Sequence, residues 1–172
     1  MKHSARIKLR GYAWAAVTIL AVLAYAPESW SRTPKPAGCR VMTEALAKAL
    51  FDEWNNALQI RPVNPDRVVQ TYTADAVLLP TFENGPLIGR DKIRGYFVHF
   101  LEQHPFGRID TRAVLPATCN IGVVAGLYTF TVDDGSKRVD KPARYTYVYV
   151  FKREGAGGRW LIQHHHSSAR PQ

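Results

Sequence analysis

Three consecutive histidines near the end of the chain, His164, His165 and His166, are the residues most able to do chemistry. Imidazole titrates near neutral pH and serves as an acid, a base or a metal ligand. Because side chains alternate along a strand, His164 and His166 should share one face and His165 should lie on the other. A zinc site needs three or four ligands. No further ligand lies at a telling spacing, so neither a metal site nor a cofactor is predicted.

Carboxylates are scarce in the segments that flank these histidines. Positions 143–152 and 160–167 contain neither Asp nor Glu, and Glu83 and Asp110 are the acids that could reach an interior site. A histidine paired with a carboxylate would support acid–base catalysis. The catalytic candidates are therefore His164, His166 and Glu83, with packing or solvated roles as the alternative for each.

A row of aromatic residues at every second position, Tyr145, Tyr147 and Tyr149, indicates a strand with one aromatic face. Tyrosines with polar tips suit the wall of a half-wet cavity, and they suit a subunit interface equally well. The function of this row is left open between the two.

The elements that must position these residues follow from periodicity. Apolar residues three and four apart predict a helix over 43–59. Asn64 followed by Pro65 predicts a second short helix that runs to about Tyr72. Asp91 is predicted to cap a third helix, which ends by His104. Alternating patterns then predict strands over 76–80, 87–88, 109–120, 123–132, 143–152 and 160–167. Helices followed by an antiparallel meander make an α+β fold with a curved sheet packed by three N-terminal helices.

The N-terminus has the features of an export signal. Four basic residues precede an uncharged apolar run, and Ala24 and Ala26 provide small residues at a cleavage site. Pro27 would disfavour cleavage there, so an uncleaved N-terminal anchor is the alternative, and only then would the protein contact a membrane. The predicted organisation is a signal peptide or anchor at 1–26, a linker at 27–40 and one domain at 41–172, in a periplasmic or extracellular protein.

Charge and cysteine content fit this view. Removing residues 1–26 takes away four positive charges and no negative ones, so the formal net charge falls from +9 to +5. The remaining cations are interspersed with acids, which argues against nucleic-acid binding. In an oxidising compartment the two cysteines, Cys39 and Cys119, are predicted to form one disulfide. Lipidation of Cys39 is the alternative.

Three segments together carry a resemblance to a known family. The sequence resembles the nuclear transport factor 2-like (SnoaL-like) superfamily, and most closely the association domain of calcium/calmodulin-dependent protein kinase II in its bacterial stand-alone form. The segments are Tyr-Thr-Ala-Asp-Ala-Val at 72–77, Tyr-Phe-Val-His-Phe-Leu at 96–101 and Gly-Arg-Trp-Leu-Ile-Gln-His-His-His-Ser-Ser at 158–168.

The resemblance implies a cone-shaped fold with a cavity between sheet and helices, and self-association into a homodimer or larger ring. Kinase motifs are absent from the sequence. The relatives hold carboxylate ligands with arginines, and at the approximately matching positions this chain has Leu127, Val148 and Ser167. Arg144 is the nearby arginine that could substitute. The candidate ligand-binding residues are Arg144, Tyr147, His164, His165 and Ser167.

Three functions remain open at this stage. The first is an exported, self-associating module that binds a small organic ligand and lacks kinase activity. The second is an isomerase, dehydratase or cyclase of the SnoaL type that uses a pocket histidine. The third is a purely structural oligomerisation module with a vestigial cavity.

Overall fold

A computed structural model describes residues 38–81, 83–154 and 157–171 of the chain. The predicted signal segment and most of the linker lie outside these residues. Within these residues, three helices and six strands follow one another with short connections. None of the described helices is long and apolar enough to cross a membrane. The helices are α1 (Glu44–Leu58), α2 (Pro65–Val69) and α3 (Arg90–Phe100), the last followed by a 3₁₀ turn at Leu101–Gln103. The strands are β1 (Tyr72–Leu79), β2 (Leu87–Ile88), β3 (Phe106–Thr118), β4 (Ile121–Asp134), β5 (Lys137–Glu154) and β6 (Gly157–Ala169).

The helices begin where local side chains satisfy their free N–H groups. The Thr43 hydroxyl accepts from the Leu46 N–H at the start of α1, and the Asn64 side chain accepts from the Asp66 N–H at the start of α2. Asp91 does not cap α3, because that helix begins one residue earlier behind Gly89, which makes no side-chain cap. The helix boundaries are otherwise close to those predicted.

The strands form one curved, mostly antiparallel sheet in the order β2-β1-β6-β5-β4-β3. The four long strands that end the chain are the predicted meander, and β1 joins β6 in parallel. The second helix is shorter than predicted, since it ends at Val69 and Tyr72 already belongs to β1. The α+β fold predicted from periodicity is therefore confirmed, with a shorter α2 and with β1, β3, β5 and β6 that begin three to six residues earlier than predicted.

The two faces of the sheet differ in character. The inner face, which α1 and α3 cover, carries Tyr145, Tyr147 and Tyr149, all buried. The outer face carries the alternate residues of the same strand, Thr146 and Val148, which are half-buried. Trp54 of α1 lies in the middle of the core; its ring centroid is 6.0 Å from that of Tyr147 and 6.3 Å from that of Phe97 of α3.

Helix α1 is fixed to the sheet by a buried amide. Asn55 Nδ2 donates to the Gly107 carbonyl at 2.9 Å, and the Gly107 N–H donates to Asn55 Oδ1 at 2.8 Å. The start of the domain is fixed by the disulfide between Cys39 and Cys119, which confirms the predicted pairing. The Asn120 N–H also donates to the Arg40 carbonyl at 2.8 Å beside it. These contacts hold α1 against the sheet and so set the space between the two layers.

Candidate functional site

A large cavity lies between the inner face of the sheet and helix α3, with a volume of about 790 Å³. Such a volume is in the range of small-molecule sites. Six aromatic rings line the cavity, and they come from α1, α3 and strand β4. The rings are Trp54, Tyr96, Phe97, Phe100, Tyr128 and Phe130.

His165 is the buried polar group of this wall. It pairs with Tyr147 across β5 and β6, so both side chains point to the inner face. The two rings stack with centroids 4.2 Å apart, and the Trp54 ring meets His165 edge-on at 5.6 Å. His165 is 3% exposed, and its burial lowers the pKa of the imidazole to about 3. The ring is therefore neutral at physiological pH.

A chain of two hydrogen bonds holds His165 in place. The Trp54 indole N–H donates to the Tyr72 hydroxyl at 3.1 Å, and the Tyr72 hydroxyl lies 2.9 Å from Nδ1 of His165. The three residues come from α1, β1 and β6. We call them the Trp54–Tyr72–His165 relay. Burial raises the pKa of Tyr72, so its hydroxyl keeps its proton and can serve in the relay.

A second polar cluster surrounds Ser167, two residues after His165 on strand β6. The Tyr128 hydroxyl donates to Ser167 Oγ at 2.6 Å, and Thr81 Oγ1 lies 2.6 Å from the same atom. All three residues line the cavity. Burial raises the pKa of Tyr128, so its hydroxyl remains protonated as a donor. Neutral hydroxyls therefore complete the polar part of the wall.

Charged residues lie at the end of the cavity formed by the β4–β5 hairpin and the chain terminus. Arg170 Nη2 donates to Asp110 at 2.8 Å, and Lys141 lies 3.7 Å from Asp134. The pKa of Asp133 is held below its ordinary value by hydrogen bonds from His104 and Arg138. Arg170, Lys141 and three carboxylates, Asp133, Asp134 and Asp140, belong to the lining.

Comparison with known proteins decides the family. The sequence profile of the calcium/calmodulin dependent protein kinase II association domain matches residues 44–171. The chain belongs to the calcium/calmodulin-dependent protein kinase II association domain family. This confirms the resemblance drawn from the segments at 72–77, 96–101 and 158–168.

Solved structures agree with this assignment. A calcium/calmodulin dependent protein kinase II association domain from Xanthomonas campestris is 44% identical, with a TM-score of 0.68 over 80% of this chain and 93% of that one. A nuclear transport factor 2-like protein from Pseudomonas putida is 17% identical, with a TM-score of 0.59 over 75% and 87% of the two chains. A ketosteroid isomerase-like protein from Erwinia carotovora atroseptica is 20% identical, with a TM-score of 0.52 over 75% and 94%. The last two show the fold alone. None of the curated proteins matches the chain.

The structure brings some of the predicted site residues of this association domain together and separates others. Tyr147, His165 and Ser167 lie on the inner face. His164 and His166 pair with Val148 and Thr146, so their side chains lie on the outer face, away from the cavity. The predicted alternation of the three histidines is therefore observed, but a catalytic pair of His164 and His166 inside the cavity is not.

Arg144 and Glu83 also lie away from the cavity wall. Arg144 is exposed. It lies between Ala143 and Tyr145, which are both buried on the inner face, so its side chain points to the outer face. Glu83 is exposed in the turn before β2. Neither residue lines the cavity. Within the described residues there is also no group of three or more His, Cys, Asp or Glu side chains that could hold a metal ion.

Sequence reasoning missed several residues of the site, Trp54, Thr81 and Tyr128 among them. Tyr72 and Arg170 show why. Tyr72 was assigned to the end of a helix, although it forms the middle of the relay. Arg170 follows the last strand and was given no role, although it lines the cavity. Tyr72 has the same strand parity as the buried Ala76 and Leu78 of β1, which is a weak indication that it points inward. The indication is weak because the register of β1 against β6 shifts between Tyr72 and Val77.

Proposed function

We propose that this association domain is an exported, self-associating module without kinase activity whose cavity binds a small organic molecule. The observation that carries the binding function is the aromatic cavity of about 790 Å³ with His165 buried in its wall. Sites for small molecules are mostly apolar and contain a few placed polar groups. The relay and the Tyr128–Ser167–Thr81 cluster provide such groups here.

Binding is favoured over acid–base catalysis by the state of His165. Its Nδ1 is engaged by Tyr72, and its lowered pKa of about 3 makes it a poor base near neutral pH. Its hydrogen bonds within the described residues do not involve a carboxylate. The cavity therefore favours a function in which His165 orients a bound molecule.

Self-association is supported by family membership and by the outer face of the sheet. Leu115 and Ile121 are large apolar residues on that face and are 57% and 38% exposed. Val148 lies near its centre, between neighbouring strands β4 and β6. An exposed apolar sheet face is typical of an interface. We assign it to a second copy of this chain, since the family is one of association domains.

Export is supported by the disulfide between Cys39 and Cys119. Disulfides persist in oxidising compartments and are rare in the reducing cytosol. The basic and apolar N-terminal segment supports the same location. We therefore place the module in the periplasm or outside the cell.

Filling the cavity mouth tests the binding function. Ala169 is exposed and lines the cavity, so Ala169→Trp should block entry while the fold tolerates the change. We expect the affinity for naphthalene probes, measured by fluorescence titration, to fall at least about tenfold, because the indole replaces the space that a probe ring needs. The probes are 2-acetylnaphthalene, 2-ethylnaphthalene and 2-naphthoate.

The matched control is Ala45→Trp on the exposed surface of α1, which should bind the probes as the wild type does. If the wild-type protein binds none of the three probes up to their solubility limits, the binding function is wrong.

A charge on the outer face tests self-association. We expect Val148→Glu to convert the protein to a monomer in multi-angle light scattering, because the new carboxylate would lose its hydration when the outer face is buried against a second copy. Lys137→Glu, a charge change at the exposed first residue of β5, should retain the wild-type mass. A wild-type protein that is monomeric, or a Val148→Glu variant with unchanged mass, would contradict the assigned interface.

A further inference from the structure

The relay fixes which nitrogen of His165 carries the proton. An indole nitrogen can only donate, so the Tyr72 oxygen accepts from Trp54 at 3.1 Å. The buried Tyr72 hydroxyl hydrogen then needs an acceptor, and Nδ1 of His165, 2.9 Å away, provides one. Because the ring is neutral, its single proton must be on Nε2. The relay therefore makes His165 a hydrogen-bond donor through Nε2.

This donor has no partner in the described part of the protein. Nε2 of His165 is buried and makes no hydrogen bond, although His165 forms part of the cavity wall. Buried polar groups without partners are rare in proteins, and leaving one unpaired costs about 1–3 kcal/mol. Nε2 itself has almost no accessible surface, so an acceptor supplied from the cavity would reach it only after a small shift of the wall, and that contact would remove the cost.

The charge distribution disfavours an anionic occupant. Each of the two cations of the lining already has a carboxylate partner, Arg170 with Asp110 and Lys141 with Asp134, although Nε of Arg170 itself makes no hydrogen bond within the described residues. The lining also contains three carboxylates. A carboxylate ligand would thus lose its hydration in an aromatic cavity without gaining a free cation. A neutral acceptor avoids this penalty.

The rings of the wall favour a planar occupant. Trp54 meets Phe97 and Phe130 edge-on, with interplanar angles of 71° in both pairs. Tyr96 and Phe100 stack with centroids 5.5 Å apart. Aromatic groups pack well in offset-stacked and edge-to-face arrangements. Such a wall offers both kinds of contact to a flat ring system.

We propose that the cavity selects a neutral, planar molecule whose carbonyl oxygen accepts a hydrogen bond from Nε2–H of His165. This proposal rests on the proposed binding function and specifies the class of ligand that the cavity binds. Wild-type protein should bind 2-acetylnaphthalene about tenfold more tightly than 2-ethylnaphthalene, because one well-formed hydrogen bond changes the dissociation constant by about that factor. It should bind 2-naphthoate more weakly than either. Isothermal calorimetry at pH 7 gives the three dissociation constants.

The variant His165→Phe keeps an aromatic ring but removes the donor, and it should bind the ketone and the hydrocarbon equally. Tyr149→Phe, on the same strand but outside the cavity lining, is the matched control. It removes a buried hydroxyl, and it should keep the preference for the ketone. Should His165→Phe fail to fold, nitrogen-15 NMR of histidine-labelled wild-type protein tests the donor directly. A neutral ring protonated on Nε2 is expected, and a ring protonated on Nδ1 would overturn the proposal.

The possible results are distinguishable. Equal binding of ketone and hydrocarbon by the wild type, or tightest binding of 2-naphthoate, would refute the ligand class and leave the binding function intact. Binding of none of the three would refute the binding function itself.

Discussion

Replacing Cys39 and Cys119 together by serine will lower the free energy of unfolding by about 4 kcal/mol in the chain-entropy account of disulfides. The bond joins residues separated by 80 positions, so its loss releases a long loop in the unfolded chain. Urea denaturation followed by circular dichroism measures the change. The effect is large because the disulfide restricts the unfolded chain, in which the hydrogen bond from the Asn120 N–H to the Arg40 carbonyl is absent.

Reducing agent provides the control for this experiment. It should lower the stability of the wild type to that of the double serine variant, and it should leave the variant unchanged. A difference under about 1 kcal/mol between the oxidised wild type and the variant would show that the disulfide contributes little to stability.

Two free thiols in protein recovered from the periplasm would contradict the proposed location.

Acidification from pH 7 to pH 5 will lower the free energy of unfolding by about 2 kcal/mol through His165 alone. The pKa of His165 is about 3 in the folded protein, against an ordinary value of 6.5 in the unfolded chain. Below pH 6.5 the unfolded chain therefore binds a proton that the folded protein excludes. Stability from this residue is complete above pH 6.5 and is lost progressively as the pH falls toward 3. Urea titrations at half-unit intervals of pH measure this loss.

The variant His165→Phe identifies the source of the slope. Its stability should be lower at neutral pH, because Tyr72 loses its acceptor, but it should change less between pH 7 and pH 5. His99→Gln, at an exposed position of α3, should keep the wild-type slope. The folded-state carboxylates with lowered pKa values, such as Asp110 and Asp133, lose stabilising charge mainly at lower pH, outside this window. An equal slope in wild type and His165→Phe would contradict the assignment.

Local signals in the sequence were sufficient for most of the fold. The caps at Thr43 and Asn64 act within three residues, and strand alternation acts between neighbours, so both are readable without a structure. The same alternation correctly separated His165 from His164 and His166. It also excludes Arg144 from any cavity that Tyr145 and Tyr147 face, since adjacent strand residues cannot share one face. The candidate set of five ligand-binding residues combined both faces and so could not all be correct.

The sequence by itself determined the α+β element order, the disulfide partners, the family and the alternation that isolates His165. Tertiary structure decided which face is inside, because that depends on where α1 and α3 pack, and packing joins residues far apart in the chain. Trp54, Tyr72 and His165 meet only through the pairing of β1 with β6 and the docking of α1. No local pattern encodes that meeting, and the burial that comes with it lowers the pKa of His165.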